Sequence, residues 1–150
     1  MIEKFPHMER ALKEAEKASV MGEVPIGAVV VSPTGDVLGA AHNRVITDHD
    51  PTAHAELLAI RQACKKLGSE RLIDCDLYVT LEPCAMCAQA IAFARIRRLY
   101  FGAEDVKGGG TINGARVFDQ KTCNHRPEIY GDIAANASTK ILRDFFKNRR

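Results

Sequence analysis

No stretch of this sequence approaches the ~20 consecutive apolar residues that a membrane span requires, and the first residues, MIEKFPHMER, lack the apolar run of a secretory signal peptide. Net charge is scarce as well. The 21 Lys and Arg nearly balance the 19 Asp and Glu, and a formal charge of +2 sets up no global field that would mark a nucleic-acid or membrane partner. Any basic binding surface is therefore local. Five cysteines, an odd number without a secretion signal, argue against a disulfide framework and read better as thiols. Internal repeats and low-complexity segments are absent, and the nearest thing to a linker, Lys107-Gly108-Gly109-Gly110, is expected to be a flexible loop inside the domain. These absences lead to the expectation of a cytoplasmic protein with no membrane partner.

What is present suffices for one core. At 150 residues and 46% hydrophobic, the chain is expected to form a single domain over residues 1–150. Pro6 can open a helix whose apolar positions, Met8, Ala11, Leu12, Ala15 and Ala18, recur at three- and four-residue spacing before Gly22. The β-branched run from Ile26 to Val31, the turn Pro33-Thr34-Gly35-Asp36 and the run from Val37 towards Asn43 predict a hairpin. A helix is predicted next, with Thr52 as N-cap, Ala55, Leu58, Ala59 and Ala63 on its apolar face, and Gly68 after its end. Leu77–Leu81 and Arg97–Gly102 read as strands flanking a helical stretch from Cys84 to Ile91, which implies a parallel pair beside the antiparallel hairpin. The last helix, roughly Ile133 to Phe146, is expected to bury Ile133, Ala137, Ile141, Leu142 and Phe145, and the segment from Glu104 to Arg126 reads as irregular.

Chemistry concentrates in two short motifs. His54-Ala55-Glu56 and, about thirty positions later, Cys84-x-x-Cys87 both fall at predicted helix starts, which in an open α/β sheet can converge at one edge. Residues three apart in a first helical turn share a face, so both sulfurs can reach one ion, and the helix N-terminus favours thiolate over thiol. One imidazole and two thiolates leave a tetrahedral zinc with a free position for water, the pattern of catalytic and not of structural sites. Glu56, two residues beyond His54, is expected to serve as the proton carrier and not as a ligand. A C-x-x-C pair alone also suits a redox protein; His-x-Glu at a helix start decides for zinc and against it. A closed site needs a fourth ligand, for which Cys64, Cys75, Cys123, His42 or His125 can be proposed, yet none has a pairing spacing. His7, His42 and His49 carry no assignment.

H-A-E at 54–56 and P-C-A-M-C at 83–87 fit the H-x-E…P-C-x-x-C signature of zinc deaminases. With Glu23–Val29, Asn43-Arg44, Asp50–Glu56, Leu77–Cys84, Tyr100–Ala103 and Asn124–Arg126, they resemble the bacterial tRNA-specific adenosine deaminase family over nearly the whole chain. That resemblance implies a three-layer α/β/α cytidine-deaminase-like fold with a mixed five-stranded sheet, one Zn2+ per subunit, a homodimer, and conversion of the wobble adenosine of a tRNA anticodon stem-loop to inosine. It further implies that Asn43 contacts the target base and that Val24 and Ala28 help wall the pocket. It places Asp105 and Lys107 on a substrate-side loop, and assigns RNA contact to Asn124, His125, Phe146 and Arg149. From Gly108 to Gln120 the chain departs from the family's usual small residues, reading Gly-Gly-Gly-Thr-Ile-Asn-Gly-Ala-Arg-Val-Phe. Without the resemblance, Asn43 reads as a turn residue, and Lys147-Asn148-Arg149-Arg150 as a solvated helix end as readily as a phosphate contact. Two rival functions stay open: the same chemistry on a free base or nucleoside (guanine, cytosine or cytidine), and a non-catalytic zinc-stabilised subunit that binds RNA.

Overall fold

A computed structural model describes residues 5–149. Helix α1 (Pro6–Val20) precedes a hairpin of β1 (Gly27–Val31) and β2 (Val37–His42), then α2 (Ala55–Leu67), β3 (Asp76–Leu81), α3 (Ala85–Phe93) and β4 (Arg98–Ala103). A 3-10 turn at Val117–Asp119, a short β5 (Glu128–Tyr130) and α4 (Ala135–Lys147) complete the chain. The strands form one sheet in the order β2-β1-β3-β4-β5, with β1 antiparallel to both neighbours and β3, β4 and β5 parallel. The mixed sheet and its parallel pair match the expectation. The fifth strand is three residues long and alternates exposed and half-buried positions, so no run of apolar residues announces it.

All five residues of β1 are buried because helices cover both faces of the sheet, and successive side chains point to opposite faces. Ala28 and Val30 join the core beneath α2 and α3, with Leu77, Val79, Leu99 and Phe101 from the neighbouring strands. Val29 and Val31 face the other way, towards Met8 and Ala11 of α1. On that second face Tyr78, Tyr100 and Tyr130 occupy matching register on the three parallel strands. Their rings stack in a row, with centroids 4.4 and 5.1 Å apart. Among the described residues no helix is long and apolar enough to cross a membrane.

Three expectations are corrected. The N-cap of α2 is His54 and not Thr52, whose amide and hydroxyl are taken by the Asp50 carboxylate at 2.8 and 2.7 Å. Helix α4 does not bury the predicted stripe. Ser138 is its one fully buried residue, seated on Gly102, while Ala137 is exposed and Ile133, Ile141, Leu142 and Phe145 are half-buried. The glycine run is not a loose linker: Gly109 and Gly110 are buried, and Gly110 donates its amide to the Pro83 carbonyl at 2.9 Å.

Candidate metal centre and substrate pocket

Helices α2 and α3 lie on the same face of the sheet, and their N-caps are His54 and Cys84. Cys84 follows the carboxyl end of β3 through Leu81-Glu82-Pro83, and Cys87 sits one turn further along α3, fully buried. The His54 Nδ1 atom lies 3.6 Å from the Cys84 sulfur and 3.5 Å from that of Cys87. An imidazole nitrogen and a thiolate bound to one tetrahedral zinc, at about 2.05 and 2.3 Å, are separated by roughly 3.6 Å, so the three side chains already hold the spacing of a ligand set. Among the described residues this is the one His/Cys/Asp/Glu group of metal-binding geometry, and no fourth ligand joins it. The proposed closing ligands lie elsewhere: His42 Nδ1 meets the Asn43 carbonyl, Cys75 and Cys123 donate to nearby carbonyls, and Cys64 packs at the core's edge.

Electrostatics fit the same chemistry. The Cys84 thiol is pulled down to about 4 by its hydrogen bond with Cys87 and then by His54, burial opposing both. Cys87 is driven upwards by that bond, by burial and by the nearby Glu56 charge, because two anions side by side in a dry site repel. His54 is raised, first by its hydrogen bond to Cys84. A divalent cation among these groups would favour both thiolates at once. Glu56, 4% exposed in the first turn of α2, is pushed up to about 7 by burial, so its carboxyl can gain and lose a proton near neutral pH.

A cavity of about 660 Å³ opens over His54, a size that suits a nucleobase with part of its sugar. The Agrobacterium fabrum tRNA-specific adenosine deaminase is 54% identical to this chain over 150 residues, 100% of the chain and 98% of that protein. The chain belongs to the tRNA-specific adenosine deaminase family. A family model described as MafB19-like deaminase matches residues 2–150 of this deaminase. A solved structure from a study of A-to-I editing by tRNA:A34 deaminases at the wobble position is similar with a TM-score of 0.90 and 54% identity, covering 93% of this chain and 100% of its own. The guanine deaminase of Bacillus subtilis is more distant, with a TM-score of 0.65 and 32% identity over 99% of this chain and 94% of its own. The three-layer α/β/α arrangement is thus the cytidine-deaminase-like fold.

Within this deaminase the residues singled out from sequence separate into two groups. Val24, Asn43, Asp105 and Phe146 line the cavity together with His54. Ala28 is fully buried in the core beneath α2, and Ile26 takes its place at the wall. Lys107 and Asn124 are exposed beyond the lining, and the His125 ring contacts the Ile96 carbonyl at 2.6 Å. Arg149 donates to the Gly22 carbonyl at 2.7 Å, near the cavity wall residue Val24, and its guanidinium lies 4.7 Å over the Phe145 ring. Arg150 lies outside the described residues. Asn43 is 6% exposed, and its Oδ1 accepts the Ala55 amide at 2.9 Å. It thereby caps α2 in place of a side chain from the helix itself and fixes the backbone between His54 and Glu56.

Sequence reasoning missed Glu23, which also lines the cavity. It is 2% exposed and accepts the Ile46 amide at 3.2 Å, the Thr47 amide at 2.7 Å and the Thr47 hydroxyl at 2.6 Å, which holds the loop carrying Val45 and Ile46 against the pocket. Burial raises its pKa, but these hydrogen bonds and the nearby His42 outweigh burial and leave it below the ordinary 4.5. A carboxyl depressed by folding stabilises the native state above its unfolded pKa and loses that contribution as pH falls through the folded value. Glu23→Gln is therefore expected to lower stability at pH 7 by about 1–3 kcal/mol, with the gap to wild type closing below about pH 4.5. Urea titrations at pH 7, 5 and 3.5 would measure this, and a gap that stays constant with pH would refute it.

Proposed function

We propose that this chain deaminates the wobble adenosine of a tRNA anticodon to inosine, in the cytoplasm, with one Zn2+ held by His54, Cys84 and Cys87. The observation that carries the reading is the group of His54, Cys84 and Cys87 at metal-ligand spacing, with buried Glu56 two residues from His54 and His54 itself lining a cavity of about 660 Å³, in a chain more than half identical to a tRNA-specific adenosine deaminase. Bound there, zinc supplies a water acidified from a pKa of 15.7 to about 7. Glu56, two residues from His54, would hold and move the protons of the hydrolysis, giving one to the ring nitrogen beside the amino-bearing carbon and one to the departing amine. Water and adenosine become inosine and ammonia. Asn43 presents its remaining amide hydrogens to the base, Val24 and Ile26 pack against its faces, and Phe146, 48% exposed at the rim, offers a ring on which a flanking anticodon base can stack. An anticodon loop suits such a pocket because its bases are splayed out without breaking a duplex.

A second copy of the chain is part of this reading. Helix α3 has no charged residue, and while Cys87, Ala88, Ile91 and Ala92 face the core, Met86 and Phe93 are 36% and 67% exposed on the other side. A helix that is apolar on both sides calls for cover on both. Light scattering is expected to give a homodimer, and a monomer at micromolar concentration would remove this part of the proposal.

Purified protein incubated with an anticodon stem-loop is expected to yield inosine by mass spectrometry, with about one zinc per chain by metal analysis. Parallel incubations with adenosine, guanine, cytosine and cytidine should give little product. Turnover confined to the free bases and nucleosides would defeat the RNA reading.

A further inference from the structure

Glu82 follows the last residue of β3, two residues before Cys84; its side chain is 2% exposed and has no lysine or arginine partner among the described residues. Its company is instead a ring of hydrogen-bond donors, one from Asp105 and the rest from Thr111 to Asn113 in the segment that departs from the family pattern. Oε1 accepts the Asp105 amide at 3.0 Å and the Asn113 side-chain amide at 2.7 Å. Oε2 accepts three consecutive backbone amides, of Thr111 at 3.1 Å, Ile112 at 2.9 Å and Asn113 at 3.0 Å. Successive amides turned inwards in this way form a concavity for an anion, and here the anion belongs to the protein itself. A buried carboxylate is costly unless such donors surround it, and five of them do so.

The same segment touches both halves of the site. Gly110 N–H and the Thr111 hydroxyl both donate to the Pro83 carbonyl, at 2.9 and 3.2 Å, fixing the backbone just ahead of Cys84. At Gly109 a side chain would overlap the Glu82 carboxylate, and at Gly110 it would overlap the first residues of α3, so the glycines serve close approach and not mobility. Just ahead of the segment in the chain, Glu104 and Asp105 line the cavity. The Asp105 carboxylate is held by the Gly108 amide at 2.9 Å, and Asn113 reaches from Glu82 to Glu104 at 3.0 Å.

From this arrangement we infer that Glu82 is a positioning residue for the substrate: its carboxylate locks the 105–113 segment into a wall of the pocket and ties that wall to the loop bearing Cys84. The inference rests on the RNA-deaminase reading for its kinetic test but not for its structural one. Glu82→Gln keeps the side chain's size but replaces one oxygen with an NH2 group. Either orientation sets that NH2 against amide donors, three of them on one side and two on the other. Asn113→Ala removes a single donor and the link to Glu104, and serves as the milder variant if the first folds poorly.

Hydrogen exchange of the 105–113 amides is expected to quicken about tenfold or more in Glu82→Gln, and KM for the anticodon stem-loop to rise by a similar factor. The kcat should stay within about threefold of wild type and the metal content should not change, because the ligands are retained. Asn113→Ala should shift both readouts in the same direction by less. Wild-type exchange together with wild-type KM in both variants would overturn the inference. A loss of kcat and metal with KM unmoved would also overturn it, by confining Glu82 to the metal loop. If wild-type protein leaves the stem-loop unaltered, the RNA reading fails while the exchange comparison still decides whether Glu82 anchors the wall.

Discussion

Glu56→Gln is expected to fold normally, retain its metal and lose roughly 10²–10⁴-fold in single-turnover inosine formation, about 3–5 kcal/mol of transition-state stabilisation. Glutamine fills the same buried space in the first turn of α2, so neither packing nor the three ligands should be disturbed. What disappears is a group able to take up a proton and give it back. Burial raises the Glu56 carboxyl above the ordinary carboxylate range, and such a group can take up and release a proton, whereas an amide has no equivalent state. Inosine formation followed by mass spectrometry, with metal analysis on the same sample, separates a chemical defect from a binding one. Unchanged turnover in a metal-replete variant would remove Glu56 from the mechanism. Absence of turnover in metal-replete wild-type protein would instead favour the non-catalytic rival left open by sequence, since an RNA-binding subunit has no need of this carboxylate.

The second large effect is expected at Cys87. Cys87→Ala removes one of the three proposed ligands from a position with no exposure, and no other side chain among the described residues stands ready to replace it. Metal content should fall from about one per chain towards zero. A ligand that binds only the folded chain stabilises it by mass action, by about 4 kcal/mol at a thousandfold excess over its Kd. For a chain of this size that corresponds to roughly 8–16 °C in Tm. Chelation should therefore lower the wild-type Tm by that order and leave the variant's unmoved. Full metal occupancy in Cys87→Ala would mean that another side chain completes the site, and the ligand assignment would fail.

The convergence of His54, Cys84 and Cys87 was legible in the sequence because each of its pieces is local. His54 and Glu56 are two residues apart, Cys84 and Cys87 three, and the helix starts that carry them follow from nearby turn signals. Convergence of the two pieces needed only the general behaviour of strand ends in an open sheet. The pocket's supports were not legible because they join segments far apart in the chain. Glu23 meets Ile46 and Thr47, and Glu82 meets Thr111 to Asn113, and nothing in an isolated Glu-Val-Pro or Leu-Glu-Pro indicates that its carboxylate is an acceptor for a distant loop. The glycine run misled for a related reason: glycine marks both slack chain and close approach, and only the neighbours at Pro83 and Ala85 tell which applies. Thr52 misled because Asp50 two residues earlier competes for its hydroxyl. Ala28 was placed at the pocket by resemblance, whereas the alternation of β1 turns it into the core.

The row of rings across β3, β4 and β5 gives the molecule a built-in optical reporter. The chain has no tryptophan, and its three tyrosines are the three members of that row, so every phenol chromophore sits on the same face of the same parallel strands. Tyr78, raised to about 12 by burial and then by Tyr100, ionises only in strong alkali while the row is intact. Phenolate absorbance and near-ultraviolet dichroism thus follow the seam between these strands, a signal that arises in the sheet itself and not among the ligands.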